Sequence, residues 1–485
     1  MDAWVTLLPQ LKMDRRSNLA IPTQIYLALR DAVLDRRLPV GARLPSTRDL
    51  AHRLQVARAG VVEAFERLVA EGYLISRIGA GTHVANWLAN TKQQRLQTSP
   101  PKLARTAQRV IGAHRRISVD LDQLRPFKLG VPALDHAPLA RWGTLLRASC
   151  LQARPRLLDS GDALGLAELR SRLAERLFRT RSIVCNPDQI AIVSSAQQAF
   201  DLVARLLIEP GDKVWVEDPG YYGACGAWIA AGARVAPIRV DALGIDVAYG
   251  ERIAPRARLA YVTPSHQFPT GVTMRLERRL ALIAWAQKNR AVIIEDDYDS
   301  EFQFEGTPQA ALFSLAKQTS VIYVGTFSKT LFPAVRLGYV VLPNNLVDAF
   351  RAVRHFADGF VSTLVQHAAA RFLAEGHFDR HLRHVRAICG LRREALFLAA
   401  HRHLKGIAEI DLADSGLHMV VWLPDRISDR RAQEAAARAG IEAMAISAFA
   451  TRHRNRSGLV LGFAAFAPHL LRAAMEQLAV ILRAQ

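Results

Sequence analysis

From about residue 120 onward, short apolar runs alternate with amphipathic helical patterns, and this alternation limits the fold more than any other feature of the chain. The predicted strands lie at 189–193, 213–217, 259–262, 292–295, 321–324 and 337–342. Such an alternation is typical of an α/β fold with a mainly parallel sheet. A second, smaller α+β lobe is predicted from roughly 345 to 485, with strands at 417–422 and 458–463 and a closing helix from Pro468.

Residues 14–85 show a different pattern, of three short helices followed by a glycine-rich hairpin. Apolar residues at 21, 25, 29 and 33 have helical spacing. Ser46 is a good N-cap with Asp49 three residues later, and a third helix is predicted over 59–70. With residues 79–84 as a two-stranded wing, the pattern predicts a winged helix-turn-helix domain.

Several polar side chains of this domain occupy positions where a winged helix meets DNA. Arg43 precedes the second helix, Arg48 lies at its start and Arg58 enters the third. The candidate DNA-binding residues are Arg43, Ser46, Thr47, Arg48, Arg58, Gly79, Gly81 and Thr82. The alternative is a small helical packing module with solvated arginines.

Positive charge is concentrated near the start of the chain. The 485 residues carry a formal net charge of +20, and residues 86–118 contain seven Lys and Arg but no acidic residue. A basic segment attracts polyanions and releases counterions from nucleic acid. We therefore predict that residues 86–120 form a basic flexible linker and that the protein binds double-stranded DNA. Arginine used only for solubility, or a merely solvated tether, is the alternative.

A lysine in residues 323–336 carries the strongest chemical signal. An apolar strand delivers Thr326, Ser328 and Lys329 into a turn, and Arg336 follows seven residues after the lysine. A lysine placed in this way can form a Schiff base with an aldehyde, while hydroxyls and an arginine hold a phosphate. Pyridoxal 5'-phosphate (PLP) is an aldehyde that carries a phosphate. A surface lysine after a strand is the alternative.

Four other segments supply the remaining parts of a PLP site. Ser194, Ser195 and Ala196 lie between a strand and a helix, where backbone N–H groups reach a phosphate. Tyr221 follows a strand in a tight turn and is placed to stack on the pyridine ring. Residues 263–271 form a rigid turn that shapes a pocket. Asp296 is assigned to the ring nitrogen and Tyr298 to the ring hydroxyl.

These segments resemble two known families. Residues 44–51, Arg58, residues 71–72 and residues 79–82 resemble the GntR family of bacterial regulators. The second half resembles fold type I, class I aminotransferases, through residues 217–221, 263–271, 295–302 and 325–339. The combination, which covers nearly the whole chain, resembles the MocR subfamily of GntR regulators.

The resemblance implies a cytoplasmic, homodimeric transcriptional regulator without physiological turnover. Residues 14–85 would bind operator DNA. Residues 121–485, the class I/II aminotransferase-like domain, would hold PLP on Lys329 as an internal aldimine. The protein would sense a small amine or amino acid, or PLP itself. A PLP-dependent aminotransferase with an accessory DNA-binding domain is one alternative, and a regulator that uses the second half only as a dimerisation scaffold is another.

Three departures from these families narrow the expectation. Helix three opens with Ala57 to Gly60 and lacks two hydroxyls that usually contact DNA. Phe268 stands where aminotransferases have an asparagine that supports the ring hydroxyl. Gly458 stands where a substrate-carboxylate arginine is expected, with Arg452, Arg454 and Arg456 nearby. An effector without a carboxylate, or PLP alone, is therefore favoured over an ordinary α-amino acid.

The remaining sequence features point to a protein without a membrane span or a metal site. We find no run of about 18 apolar residues and no basic, apolar leader at the start. The four cysteines are widely spaced and show no metal-binding pattern, which is typical of a reducing compartment. We expect no metal and a cytoplasmic location.

Overall fold

A computed structural model describes residues 13–77, 80–86, 102–114, 124–159, 161–307, 309–316, 320–453 and 456–485. The chain divides into two compact units, residues 1–102 and 103–485.

In its described residues, the first unit contains three helices and a two-stranded sheet. Its elements are α1 (Ile21–Leu34), α2 (Thr47–Leu54), α3 (Arg58–Ala70), β1 (Leu74–Arg77) and β2 (Gly81–Val84). The two strands pair in antiparallel fashion, with Leu74 opposite Val84. The predicted three helices with a wing are thus confirmed, but the first strand of the wing, at Leu74–Arg77, lies before the predicted range 79–84. Gly79, at the predicted tip of the wing, lies outside the described residues.

One apolar core holds this unit together. The buried side chains come from all three helices and both strands, and include Ile25, Leu29, Leu50, Phe65 and Leu74. Ser46 begins α2, because its side-chain oxygen accepts a hydrogen bond from Asp49 N–H at 3.1 Å. An N-cap of this kind stabilises a helix by about 1 kcal/mol, so the predicted start of α2 is confirmed.

The second unit is larger and alternates helices with strands. Its helices are α4 (Arg105–His114), α5 (Leu139–Leu151), α6 (Pro155–Leu158), α7 (Ala167–Arg181), α8 (Ala196–Leu207), α9 (Tyr222–Ala230), α10 (Val247–Ile253), α11 (Leu276–Asn289), α12 (Leu312–Leu315), α13 (Val347–Ala357), α14 (Thr363–Ala374), α15 (His377–His403), α16 (Asp429–Arg438) and α17 (Pro468–Arg483). Its strands are β3 (Ile190–Val193), β4 (Lys213–Asp218), β5 (Arg234–Asp241), β6 (Gly244–Ile245), β7 (Leu259–Val262), β8 (Val292–Asp297), β9 (Val321–Thr326), β10 (Gly338–Val341), β11 (Glu409–Ile410), β12 (His418–Trp422), β13 (Met444–Ala445) and β14 (Gly458–Gly462).

An eight-stranded sheet forms the centre of this unit, in the order β3-β10-β9-β8-β7-β4-β5-β6. The neighbours from β9 to β5 are parallel, whereas β10 is antiparallel to both β3 and β9. Strands such as β3, β7 and β10 are buried along their whole length. Apolar clusters cover the sheet and its helices, as the near-continuous apolar strands require. The predicted α/β class is therefore confirmed.

A smaller antiparallel sheet, ordered β11-β12-β14-β13, forms the second layer system. Helices α15, α16 and α17 contribute with this sheet to one core. An earlier segment also reaches it, since Gly462 N–H donates to the carbonyl of Phe127 at 2.9 Å. The predicted smaller α+β lobe is confirmed, and residues near 127 connect it with the large sheet.

Helix α4 lies inside the stretch predicted to be a flexible linker. It packs against α9, within the second unit. Residues 87–101 and 115–120 of that stretch lie outside the described part of the chain, so the rest of the linker prediction stays a prediction. The sequence did not indicate a helix at α4, because its composition is polar and basic.

None of the helices in the described ranges is long and apolar enough to cross a membrane.

Candidate functional site

The predicted site residues follow the ends of neighbouring strands. In the sheet, Gly338 of β10 is paired with Val193 of β3 on one side and with Thr326 of β9 on the other. Asp296 of β8 is paired with Val324 of β9. The segments that follow β3, β8 and β9 therefore meet at one edge of the sheet, where open α/β folds bind ligands.

Lys329 lies at this edge and is half-buried. Its Nζ donates a hydrogen bond to the carbonyl of Gly130 at 2.6 Å. Gly130 has a φ of +73°, and a Cβ there would lie 3.0 Å from the lysine Nζ. Burial lowers the pKa of Lys329, although the carboxylates of Asp299 and Asp296 oppose that change. A lowered pKa increases the fraction of the neutral, nucleophilic amine.

The carboxylates around residue 296 are divided between two faces of β8. Glu295 accepts hydrogen bonds from the N–H groups of Leu312 and Phe313, each at 2.8 Å, and so starts α12. Asp297 forms an ion pair with Arg181 at 2.8 Å. Because side chains alternate along a strand, Asp296 points to the other face, towards Lys329.

Asp296 is buried and accepts a hydrogen bond from the Tyr261 hydroxyl at 2.6 Å. Burial raises the pKa of Asp296 to about 7, and the nearby carboxylates of Asp297 and Asp299 also raise it. The hydrogen bond from Tyr261 and the charge of Lys329 act in the opposite direction. A carboxyl group with such a pKa readily shares its charge with a cationic partner.

Hydroxyls and helix N–H groups follow β3 and β9 at the same edge of the sheet. Ser195 is the N-cap of α8, and Thr326 Oγ1 lies 3.1 Å from Ser328 Oγ. Arg336 is exposed and its guanidinium makes no ion pair with a described residue. Ser194 is different from its prediction in one respect, since its N–H already donates to the side-chain oxygen of Gln198 at 2.7 Å. The set nevertheless matches the donors that a phosphate needs.

Aromatic side chains cover the space beside these polar groups. Tyr221 is 39% exposed, and its ring centroid lies 6.0 Å from that of Phe268. Phe268 also contacts the rings of Tyr298 and Phe449, with centroids 6.2 and 5.0 Å away. Tyr221 is thus placed on an open, aromatic wall of the site, whereas Phe268 offers no hydrogen bond to a ligand.

The turn over 263–271 is held by a buried carboxylate. Glu217 accepts hydrogen bonds from Thr263 Oγ1 at 2.6 Å and from Gln267 Nε2 at 3.2 Å. Burial raises the pKa of Glu217 to about 7. Gln267 also binds the carbonyls of Pro219 and Phe268, and therefore joins this turn to the one that carries Tyr221.

A buried histidine cluster lies behind Tyr298. His266 Nδ1 is 3.0 Å from the Tyr298 hydroxyl and 3.0 Å from Asp299 Oδ2. The ring of His418 lies 4.7 Å from that of His266. His266, Asp299 and His418 stand as close together as metal ligands would. However, the His266–Asp299 pair is already at hydrogen-bond distance, and His418 Nε2 is 3.1 Å from the carbonyl of Pro269.

The arginines near the predicted carboxylate position do not converge on the site in the described part of the chain. Arg456 forms an ion pair with Glu409 and lies 5.3 Å from the centre of the Trp422 ring. Gly458 pairs with Trp422, and a Cβ there would lie 3.1 Å from the carbonyl of Val421. Arg452 is exposed, and Arg454 lies outside the described residues.

In the first unit, the candidate DNA-binding residues lie at two helix starts and on the wing. Residues 41–44 run along β2, because Leu44 N–H donates to the carbonyl of Thr82 at 2.9 Å. A Cβ on Gly81 would lie 3.1 Å from Arg43 Nε. The wing thus carries the exposed Arg43 beside Gly81 and Thr82.

The starts of α2 and α3 lie close together. Arg58 Nε is 3.5 Å from Thr47 Oγ1, and both Arg48 and Arg58 are exposed. Ala57, the N-cap of α3, makes no side-chain cap. The first N–H groups of α3 therefore remain available to a phosphate, beside the guanidinium of Arg58.

Comparison with known families agrees with this division. Residues 22–84 match the model of bacterial regulatory proteins of the gntR family, and residues 125–458 match that of class I and II aminotransferases. The chain is 34% identical over 471 residues to the probable rhizopine catabolism regulatory protein MocR of Rhizobium meliloti, covering 96% of this chain and 95% of that protein. The chain belongs to the MocR subfamily of GntR-type transcriptional regulators.

Other relatives share the MocR architecture. The pyridoxine biosynthesis transcriptional regulator PdxR of Corynebacterium glutamicum is 30% identical over 482 residues, with 95% of each chain covered. Among solved structures, an archaeal alanine:glyoxylate aminotransferase has a TM-score of 0.70 and 26% identity, covering 79% of this chain and 96% of that one. The predicted regulator family and the fold of the second unit are confirmed.

Two features of the site could not be predicted from the sequence of this MocR-type protein. Tyr261, the partner of Asp296, lies in an apolar run that indicated only a strand. His266 and Asp299 both lie in segments that carried the resemblance, but they are 33 residues apart along the chain. Nothing in the sequence indicated that they pair behind Tyr298.

Proposed function

We propose that this transcriptional regulator binds operator DNA through its first unit and PLP through Lys329 in its second unit. The observation that carries the proposal is the placement of a half-buried lysine with a lowered pKa near a buried carboxyl group with a raised pKa. Structural ion pairs also shift pKa values, but this pair lies at the edge of the sheet, beside groups that can donate hydrogen bonds to a phosphate.

The residues of the site fit each part of PLP. Lys329 would bind the aldehyde, and Asp296 would face the ring nitrogen. Ser195, Thr326, Ser328 and Arg336 would hold the phosphate. Tyr221 would lie against the ring and Tyr298 beside its hydroxyl. When bound in this way, the cofactor would supply an electrophilic aldehyde carbon and an electron-sink ring for an incoming amine.

We infer that the ligand sensed at this site is a small amine or amino acid, or PLP itself. The described arginines near Gly458 do not converge on the site, which supports an effector without a carboxylate. A regulatory ligand must bind two arrangements of the protein with different affinity. Helix α4, the first described helix of this unit, packs on α9, which begins next to Tyr221.

We also infer that two copies of the chain act together in the cytoplasm. Homodimers are the commonest symmetric assemblies, and a two-fold axis matches an inverted DNA site. Large apolar side chains are exposed on α5, α6 and α13, with Leu151 at 74%, Leu158 at 67% and Phe356 at 88%. These side chains support a dimer face on the second unit.

The variant Lys329→Ala tests the site directly. It should abolish the covalent attachment of PLP, because no amine remains at this position, while leaving the fold and the basal DNA contact intact. The measurement is the mass of the protein after PLP addition and borohydride reduction, together with DNA binding. Lys288→Ala, at an exposed lysine of α11, is the matched control.

Two results would count against this proposal. One is a PLP adduct that persists in Lys329→Ala at the stoichiometry of the unchanged protein. The other is a folded Lys329→Ala protein that has lost all DNA binding, since this would separate the lysine from a sensing role.

A further inference from the structure

His266 has one ring nitrogen at hydrogen-bond distance from two side chains and one without a hydrogen-bond partner among the described residues. Its ring is 2% exposed, and Nδ1 lies between the Tyr298 hydroxyl and Asp299 Oδ2, at 3.0 Å from each. Nε2 has no hydrogen-bond partner among the described residues. A Cβ on Gly416 would lie 2.7 Å from this nitrogen, so the ring is held against the chain at residue 416.

Asp299 decides which nitrogen of His266 carries the proton. An ionised carboxylate can only accept hydrogen bonds, so Asp299 requires the proton on Nδ1. The unpartnered Nε2 is then a lone pair, and a buried acceptor without a partner costs less than a buried donor without one. Asp299 at Nδ1 and the lack of a partner at Nε2 therefore both favour the Nδ1–H form of His266.

This form fixes the direction of the Tyr298 proton. Because Nδ1 already carries a proton, it cannot accept the Tyr298 O–H, and the phenol oxygen faces an N–H instead. His266 is the hydrogen-bond partner that the described residues offer to this hydroxyl. The O–H of Tyr298 then points away from His266 and remains available to a ligand.

We propose that Asp299 and His266 are positioning residues, which turn the Tyr298 hydroxyl so that it donates to the ring oxygen of the bound cofactor. The inference rests on the proposed PLP site. Phe268 occupies the neighbouring position and has no polar atom on its side chain, so the orientation of Tyr298 is the means by which this wall supplies a donor.

The charged and titratable groups around Asp299, His266 and Tyr298 come from four segments. Asp296 lies at the end of β8, Glu217 on β4, His418 on β12, and Lys329 after β9. Burial and the charge of Lys329 lower the pKa of His418 well below its usual value, so that this ring is neutral at neutral pH. Burial raises the pKa of Tyr298, and the negative charges of Asp299, Asp296 and Glu217 raise it further. Tyr298 therefore keeps its proton and acts as a donor.

The test is a pH titration of the absorption bands of lysine-bound PLP. A hydrogen bond donated to an anionic ring oxygen stabilises the deprotonated form, so its loss should move the midpoint upward. Tyr298→Phe should raise the midpoint by about one to two pH units, the size of a hydrogen bond to a charged group. Asp299→Asn and His266→Gln should raise it in the same direction by a smaller amount.

A double variant separates positioning from a simple effect of charge. In the Tyr298→Phe background, Asp299→Asn should cause no further shift if Asp299 acts through the tyrosine. An equal shift in both backgrounds would overturn the proposal, since it would show that only the charge matters. Glu301→Gln is the control, because it removes a carboxylate two residues away that pairs with Arg176.

A second measurement does not need the cofactor. In the protein without PLP and with ¹⁵N-labelled histidine, His266 should show the Nδ1–H form, identified by its loss in His266→Gln. Asp299→Asn should change that form. An Nε2–H form in the unchanged protein would overturn the proposed positioning of Tyr298 by His266, even if PLP binds. Failure of the unchanged protein to bind PLP at Lys329, with the Nδ1–H form present, would instead sink the proposed function and the cofactor step of this inference.

Discussion

At the scale of single residues, the site depends on how one strand distributes its carboxylates. Glu295 accepts hydrogen bonds from the first N–H groups of helix α12, and Asp297 forms an ion pair with Arg181. Asp296 remains for a ligand. The sequence predicted a carboxylate at this strand end. The alternation of side chains explains why Asp296 points to the opposite face from Glu295 and Asp297. The partner of Asp296, Tyr261, could not be predicted, because pairing across two strands depends on register.

The pKa of Asp296 leads to a prediction about stability in the absence of PLP. The folded protein holds a proton on Asp296 up to about pH 7, whereas the unfolded chain releases it near pH 4. The folded state therefore binds more protons in this window, and its stability falls as the pH rises through it. Asp296→Asn removes this titration.

We expect the free energy of unfolding of Asp296→Asn, relative to that of the unchanged protein, to rise by on the order of 2 kcal/mol between pH 5 and pH 8, at 1.4 kcal/mol per pH unit. The measurement is urea unfolding of the cofactor-free proteins, followed by tryptophan fluorescence. Asp425→Asn, at an exposed aspartate, should show no such gain. A stability difference that does not change with pH would mean that Asp296 is ionised throughout.

At the scale of elements, the edge of the large sheet is tied to the smaller lobe by a carboxylate at the end of β4. Asp218 is 1% exposed and accepts hydrogen bonds from the N–H groups of residues 451, 452 and 453, at 2.6, 2.8 and 2.7 Å. Gly220 N–H also donates to the carbonyl of Phe449 at 3.1 Å. The turn that carries Tyr221 is therefore fixed to the loop before β14.

Asp218→Asn should destabilise the second unit by about 2–3 kcal/mol. One amide oxygen cannot accept from three N–H groups, and the amide N–H₂ faces donors, so buried backbone groups lose their partners. Unfolding by urea at pH 7 measures the loss. Asp201→Asn, at an exposed pair with Arg205, should cost less than about 0.5 kcal/mol. Equal costs for the two variants would refute the structural role of Asp218.

Elements with a strong apolar period were predictable from the sequence, and elements with a polar surface were less so. Strand β7 was predicted over its observed range, and α1, α2 and α3 were predicted within a few residues. Helix α4 was missed, because its basic composition indicated a linker and its packing against α9 is a tertiary effect. Contacts over long separations, such as Gly130 with Lys329, are set by the fold and leave no local pattern.

At the scale of the whole molecule, charge is concentrated at the start of the chain, where the DNA-binding unit lies. Residues 86–118 add seven positive charges and no negative one. Each phosphate contact releases counterions, so the affinity of the protein for DNA should fall steeply as salt rises. The exposed guanidiniums of Arg43, Arg48 and Arg58 are the described candidates for such contacts.

Arg58→Ala should weaken DNA binding at low salt and reduce the slope of log affinity against log salt by about 1, the value for one phosphate contact. Arg438→Ala, at an exposed arginine of α16 in the second unit, is the control and should leave the slope unchanged. Titrations at several salt concentrations give both slopes. Identical slopes for Arg58→Ala and the unchanged protein would remove Arg58 from the interface.

The central claim is that one chain joins specific DNA binding to a PLP site, and fluorescence anisotropy tests it most directly. Purified protein is titrated onto the intergenic DNA beside its own gene and onto a scrambled duplex, with and without PLP. We expect tighter binding to the intergenic DNA, a change in that affinity with PLP, and no such change in Lys329→Ala. Equal affinity for the intergenic and scrambled duplexes, with or without PLP, would contradict the claim.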